Sequence, residues 1–199
     1  MPANRDRALD AAIALLGTRG LKGLTHRGVD AAAGLPQGST SNHFRTRNAL
    51  LAAVVARLVE RDREDWASLG AARLPATLTD LADGLAGYVL LAVGRDRVRT
   101  TARFVLVAAA ATDPTLAAPI GAGRAELVAW GSTMLAMLGA ADPHRNAVLL
   151  TDYLDGVILH RLTPPPTPAE PAAAADQFDP RAGIVTVLGA VFGADAGRF

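Results

Sequence analysis

The sequence predicts an all-α protein of about nine helices. Three of the expected helix starts are marked by Asp-Pro pairs, at Asp113-Pro114, Asp142-Pro143 and Asp179-Pro180. In each pair the aspartate can accept hydrogen bonds at the N-cap, and proline suits the first helical position. No stretch alternates convincingly between apolar and polar residues as a half-buried strand does, and no two runs are joined by a hairpin dipeptide.

The other helices follow from apolar periodicity. We expect the first to run from Asn4 to about Gly20 and the fourth to begin near Thr46. Five more are expected at about 76–93, 97–111, 114–138, 142–162 and 180–193. The last two are separated by a proline-rich linker at 163–177, whose first half cannot be helical.

The composition limits what the chain can do. Half of its 199 residues are apolar, so a substantial core can form. Cysteine is absent, which excludes disulfides, thiol catalysis and cysteine-ligated metals. The first residues lack the apolar run of a signal peptide, and the longest uncharged stretch, Leu127 to Ala141, is too short to span a bilayer. We therefore expect a soluble cytoplasmic protein with no membrane contact and no cofactor.

The charges are unevenly distributed along the chain. Residues 1–47 carry seven Arg or Lys against three Asp, a net charge of +4, whereas the rest has a net charge of −3. A basic N-terminal region beside an acidic remainder is typical of a DNA-binding domain attached to a second domain.

The segment 24–51 predicts two short helices joined by a tight turn, with a third helix directly after them. The hydroxyl of Thr25 can cap the first helix by accepting from the backbone of the next turn. Gly34 can end that helix in the left-handed conformation, and Pro36 can open the next one. This is the pattern of a helix-turn-helix, whose second helix enters the major groove of DNA.

The second of these helices, expected from Gln37 to Phe44, carries short polar side chains without formal charge. Gln and Asn can pair with adenine, and Ser or Thr adapts to any base. The candidates for base-edge contacts are Gln37, Ser39, Thr40 and Asn42, and Gly38 is a further DNA-binding candidate. The candidates for phosphate contacts are Thr25, Arg27, His43 and Arg47, and Arg27 can also reach a base. On composition alone, a polar surface turn followed by a helix start at Thr46 explains this segment as well as a reading helix does.

The segment resembles the DNA-binding domain of the TetR family of bacterial transcriptional regulators. The resemblance rests on the order and spacing of Leu24–Thr25, Ala33–Gly34, Gly38–Ser39, His43–Phe44 and Leu50–Leu51. It covers roughly the first quarter of the chain. The resemblance implies a DNA-binding domain over residues 1–46 and a helical effector-binding and dimerisation domain over residues 47–199.

Three positions depart from the family pattern. Ser41 stands where the family most often has an aromatic residue that packs on the DNA backbone. Arg47 replaces the usual Lys, and Asn48 replaces a common Glu. Arginine can still contact a phosphate, whereas Ser41 has no ring that could pack on the DNA backbone.

The resemblance also implies a small-molecule effector held among helices five to eight. The candidate residues for that site are Tyr88, Leu91, Arg103, Phe104, Val107, Trp130 and Met134. Taken one at a time, they fit a plain apolar core equally well or better. Arg103 can pair with an acidic effector, but an internal ion pair with Asp152 or Asp155 is the stronger expectation.

The last two helices are apolar over more than one face. That surface can complete the core of the monomer, or it can form a subunit contact in which two helices per chain build a four-helix bundle. The resemblance implies the subunit contact, and a homodimer also fits a helix-turn-helix that reads two half-sites. The candidate interface residues are Leu154, Val157, Ile158, Val187, Leu188 and Val191.

Two classes of function compete at this point. The first is a ligand-responsive regulator that binds a palindromic site on double-stranded DNA as a homodimer and acts as a repressor, released by a small molecule. The second is a helical small-molecule-binding protein or enzyme without specific DNA binding. The sequence gives the second little support, because its four histidines have no metal-ligand spacing and no nucleophile motif or glycine-rich phosphate loop is present. A DNA-binding protein that has lost its ligand response stays open.

Overall fold

The computed structural model describes residues 4–72, 74–163 and 179–192, and within them the protein is all-α. The helices of this part of the chain are α1 Asn4–Gly23, α2 His26–Ala33, α3 Ser39–His43, α4 Arg47–Ala72, α5 Leu78–Val93, α6 Arg97–Ala110, α7 Pro114–Met137, α8 Pro143–Leu162 and α9 Arg181–Phe192. The predicted fold class is therefore confirmed. The proline-rich linker lies, apart from Thr163, outside the described residues.

The helix starts confirm the caps predicted from the sequence. Oδ1 of Asp142 accepts from the amide of Arg145 at 3.2 Å, and Oδ1 of Asp179 accepts from the amide of Arg181 at 2.8 Å. Oδ1 of Asp113 accepts from the amide of Thr115 at 2.9 Å. These side chains satisfy amide groups that have no partner inside the helix, so each start is fixed locally.

The expected end of the first helix near Gly20 agrees with the structure, whereas the expected bounds of α3 need correction. Helix α1 contains a break at Gly20, with φ 64° and ψ −170°, and a further turn continues to Gly23. Helix α3 is shorter than the expected span of Gln37 to Phe44, because Gly38 has a φ of 91°. A left-handed residue cannot continue a right-handed helix, so α3 begins at Ser39.

The helices group into two compact units. The first contains residues up to 72 together with 96–125, and the second contains residues 73–95 together with the chain from 126 onward. In the first unit α1 packs against α2, α4 and α6. Its core consists mainly of aliphatic side chains from α1, α4 and α6, among them Leu9, Leu16, Leu50, Val54 and Leu106.

Ion pairs connect α4 to α1 and to α6 within the first unit. The carboxylate of Asp10 on α1 accepts from Arg57 and from Arg61, each at 3.1 Å. The carboxylate of Asp62 accepts from Arg103 on α6. This internal ion pair agrees with the expectation that Arg103 pairs within the protein, but Asp62 was not among the expected partners.

In the second unit α5 packs against α8 and α9. Ile158 of α8 and both Ile184 and Leu188 of α9 are almost completely buried. The side-chain amide of Asn146 donates to the carbonyl of Val191 at 3.2 Å, which ties the start of α8 to the end of α9. Within the described ranges, the structure contains no helix that is both long and apolar enough to cross a membrane.

Candidate nucleic-acid interface

Helix α2 begins at the cap that the sequence predicts. The Thr25 hydroxyl oxygen accepts from the amide of Gly28 at 3.0 Å, and the Thr25 side chain remains exposed. Leu24 before the cap and Val29 after it are completely buried. The hydroxyl proton of Thr25 is therefore still available to a phosphate, at a position held by two core residues.

The end of α2 and the turn to α3 are fixed by backbone geometry and by α1. Gly34 adopts the left-handed conformation, with φ 61°, and its amide donates back to carbonyls of α2. The guanidinium of Arg7 donates to the carbonyl of Ala33 at 2.7 Å. A cation on the last carbonyls of a helix is favourable, because those carbonyls carry the negative end of the helix dipole.

The start of α3 is bound to a carboxylate of α2. Oδ2 of Asp30 accepts from the amide of Gly38 at 2.8 Å, and Oδ1 accepts from the amide of Thr40 at 2.8 Å. The Thr40 hydroxyl donates to the same Oδ1 at 2.5 Å. Burial alone would raise the pKa of Asp30, but the bonds from Thr40 and Gly38 and the nearby His26 together hold that pKa below its ordinary value.

The end of α3 is bound to the same helix. The Nε2 atom of His26 lies 2.6 Å from the carbonyl oxygen of Phe44, to which it donates. His26 and Asp30 are one turn apart on α2, so one face of α2 holds both ends of α3. We call this pair the α2–α3 clamp.

Thr40 needs correction as a base-edge candidate. Its side chain is completely buried, and its hydroxyl proton is donated to Asp30. A buried side chain cannot reach a base edge. Thr40 instead holds α3 against α2 from the buried side of the helix. Ser39 is half-buried, and its hydroxyl donates to the carbonyl of Pro36 at 2.7 Å.

The exposed face at α3 is polar and uncharged. Gln37 in the turn and Ser41, Asn42 and His43 in the helix are all exposed. Gly38 is half-buried, and its backbone forms the left-handed entry to α3. Ser41 belongs to the polar run that the sequence indicates for base reading, but it was not among the selected base-edge candidates.

The basic residues around this face have two kinds of role. Arg27 in α2 and Arg45, which follows the C-cap of α3, are exposed. Arg47 is also exposed, but its guanidinium donates to the carbonyl of Leu24 at 2.9 Å and to that of Leu21. Arg47 therefore fastens the loop between α1 and α2, a role that its assignment as a phosphate contact did not include.

Sequence reasoning missed both residues of the α2–α3 clamp. Asp30 stands in a run of small apolar residues, where an acidic residue is usually a solvated surface charge. One signal was available, because Gly38 at the N-cap of α3 has no side chain that could cap the helix. A helix start without its own cap requires an acceptor from another part of the chain.

The effector candidates are distributed over both units. Arg103, Phe104 and Val107 lie on α6 in the first unit, whereas Tyr88 and Leu91 on α5 and Trp130 and Met134 on α7 lie in the second. Met134 is buried, whereas Tyr88 and Trp130 are half-buried. No group of three or more His, Asp or Glu side chains that could bind a metal occurs in the described part of the chain.

The dimer candidates divide into two sets. Leu154, Ile158 and Leu188 are buried in the single chain, so they complete the monomer core, as the alternative interpretation of the sequence allowed. Val157, Val187 and Val191 are half-buried. The exposed apolar residues of α8 are instead Leu149 and Leu159.

Three N-terminal helices with a short, exposed third helix behind a glycine turn define a helix-turn-helix domain. The family model described as "Bacterial regulatory proteins, tetR family" matches residues 8–54. The model described as "Tetracyclin repressor-like, C-terminal domain" matches residues 76–193. The chain belongs to the TetR family of bacterial transcriptional regulators. None of the curated proteins matches it.

Solved structures agree with this assignment over nearly the whole chain. The multidrug binding protein EbrR complexed with proflavin is 30% identical, with a TM-score of 0.59, and the match covers 95% of this chain and 99% of that one. EbrR complexed with ethidium is 29% identical, with a TM-score of 0.67 and coverage of 96% and 99%. A member of the TetR family from Streptomyces coelicolor A3 is 27% identical, with a TM-score of 0.66 and coverage of 96% and 99%.

Proposed function

We propose that this protein is a cytoplasmic repressor that binds a palindromic operator as a homodimer and is released by a small-molecule effector. The observation that carries this proposal is the exposed, uncharged polar face at α3, which contains Gln37, Ser41 and Asn42. Side-chain amides and hydroxyls of this kind can pair with base edges, and they add no charge that would favour every sequence equally.

The basic residues supply binding strength around that face. Arg27 and Arg45 are exposed and suitably typed for phosphate contacts, and the Thr25 hydroxyl can add a neutral one. His43 at the end of α3 is a further phosphate candidate. Phosphate contacts set the register of the protein on the duplex, and the base contacts then select the sequence.

A homodimer is proposed through the exposed surfaces of α8 and α9. Leu149 and Leu159 are exposed on α8, and the exposed residues of α9 include the small side chains Ala182, Thr186 and Ala190. Small side chains allow two helices to approach closely, and the leucines supply apolar area to bury. A two-fold dimer presents two reading helices to two half-sites of a palindrome.

The proposed effector is an aromatic cation. The similar protein EbrR has been solved in complex with ethidium, proflavin and malachite green, which are aromatic cations. Tyr88 and Trp130 offer aromatic faces that suit such compounds. An acidic effector is less favoured, because Asp62 already pairs with the guanidinium of Arg103. The effector releases DNA only insofar as it binds the DNA-free conformation more tightly.

Selection of genomic fragments by the purified full-length protein at near-physiological salt tests this function. We expect enrichment of a palindromic sequence that is bound far more tightly than random duplex, and release of that fragment by an aromatic cation such as ethidium, read by fluorescence anisotropy of the labelled DNA. Ethidium also intercalates into DNA. The control is therefore the same titration with a DNA-binding protein whose amino-acid sequence is unrelated to this one. Weak, salt-sensitive binding shared by all duplexes would contradict the proposal.

A further inference from the structure

Helix α3 is too short to maintain its own position. It contains five residues, and its N-cap, Gly38, makes no side-chain cap hydrogen bond. A helix of little more than one turn is unstable in isolation, because the cost of nucleation exceeds the gain from its few hydrogen bonds. The orientation of α3 must therefore come from residues outside it.

The contacts that supply this orientation come from one face of α2. At the start of α3, Asp30 accepts three hydrogen bonds, from the Gly38 amide, the Thr40 amide and the Thr40 hydroxyl. At the end of α3, His26 donates to the Phe44 carbonyl. Asp30 is only 3% exposed, so its bonds are shielded from competing water.

We propose that Asp30 and His26 are positioning residues, which set the orientation of α3 and thereby the sequence preference of the protein without touching DNA. This inference rests on the proposed function, because it assigns the orientation of α3 a role in sequence recognition. Asp30 takes the place of the N-cap side chain that Gly38 lacks. His26 satisfies a carbonyl at the opposite end, where a positively polarised donor suits the helix dipole.

The arrangement also explains why an acidic residue is buried at this point. A carboxylate at the start of a helix meets the positive end of the helix dipole, and three donors compensate for its removal from water. Loss of the carboxylate leaves the amides of Gly38 and Thr40 without their acceptor in a partly closed site. Such amides must find water, and α3 must move to let water in.

Three variants separate positioning from simple destabilisation. Asp30→Ala removes all three acceptor contacts, whereas Thr40→Val keeps the volume of the side chain and removes only the hydroxyl. Thr40→Ser restores a hydroxyl and serves as the rescue. Thr18→Val is the matched control, because Thr18 is exposed and its hydroxyl donates to the Ala14 carbonyl within α1.

The first readout is amide hydrogen exchange of Gly38 and Thr40, measured by NMR on the full-length protein. We expect exchange at these amides to accelerate about tenfold or more in Asp30→Ala and measurably in Thr40→Val, and to stay at the wild-type rate in Thr40→Ser and Thr18→Val. Unchanged exchange of both amides in Thr40→Val and Asp30→Ala would overturn the clamp.

The second readout is the ratio of affinities for the fragment that the wild type enriches and for random duplex of equal length. We expect this ratio to fall about tenfold in Asp30→Ala and measurably in Thr40→Val, and to stay near the wild-type value in Thr40→Ser. A parallel fall of both affinities would reduce the clamp to a purely structural feature and overturn the inference. A wild-type protein without sequence preference would overturn the proposed function. The hydrogen-exchange rates of Gly38 and Thr40 would then still test whether Asp30 holds the start of α3. If Asp30→Ala does not fold, Thr40→Val carries the test.

Discussion

Gly17 of α1 lies so close to Val98 of α6 that a Cβ atom on Gly17 would stand 2.0 Å from the Val98 carbonyl oxygen. That distance is far below van der Waals contact, and the opposing atom is backbone, which cannot rotate away as a side chain can. The absence of a side chain at residue 17 therefore sets the distance between α1 and the start of α6. Both helices belong to the first unit.

We predict that Gly17→Ala destabilises the protein even though alanine is the better helix former. The clash should cost up to about 3 kcal/mol, because the opposing atom is backbone, and this exceeds the roughly 1 kcal/mol that alanine gains in a helix. The measurement is the free energy of unfolding in urea. The matched control is Gly121→Ala in α7 of the same unit, where a Cβ atom would meet nothing within 4 Å. That control should be stabilised, and a Gly17→Ala variant as stable as the wild type would show that α1 and α6 adjust freely.

The ionisation of Asp30 predicts how stability depends on pH. In the unfolded chain Asp30 takes up its proton near its ordinary pKa of 3.8, whereas in the folded protein its pKa is lower. The stabilising contribution is therefore complete above about pH 3.8 and is lost as the pH falls through the lower, folded value. Asp30→Asn cannot titrate, so its free energy of unfolding should fall less steeply with pH below 3.8 than that of the wild type. Chemical denaturation at a series of acidic pH values measures both slopes, and equal slopes would contradict the assignment.

The oligomeric state should depend on exposed leucines of α8. Leu149 and Leu159 are 49% and 44% exposed in the single chain. We predict that replacing both by Gln shifts the protein from dimer to monomer in sedimentation velocity, because the apolar area that drives association is lost. Leu90→Gln on α5 is the matched control, since Leu90 is also 49% exposed. A double variant that stays dimeric at the same concentration would place the interface elsewhere.

Local signals in the sequence predicted most of the helices. Asp-Pro pairs, the Thr25 cap and the left-handed Gly34 depend on residues within a few positions of each other, so they can be recognised without the fold. The role of Thr40 could not be recognised in this way. Its polar side chain fits a reading surface in composition, and only the packing of α2 against α3 turns it inward towards Asp30.

The sequence also could not predict which residues far apart along the chain form ion pairs. Arg103 forms an internal ion pair, as expected, and Asp62, a partner that the sequence did not suggest, is 41 residues away on α4. Several acidic residues were equally plausible in charge, and distance along the chain carried no information about which one lies nearby. The same limit affected Leu154 and Ile158, whose periodicity fits a subunit contact and a monomer core equally.

The central claim is that the exposed face at α3 reads DNA sequence. The most direct measurement compares the affinity of the Gln37→Ala, Asn42→Ala double variant for the fragment that the wild type enriches with its affinity for a scrambled duplex at the same salt. Each lost base contact should cost about 1–3 kcal/mol on the enriched fragment and nothing on the scrambled one. The control Arg45→Ala should instead weaken both affinities and reduce the salt dependence. A double variant that keeps the wild-type ratio of the two affinities would contradict the claim.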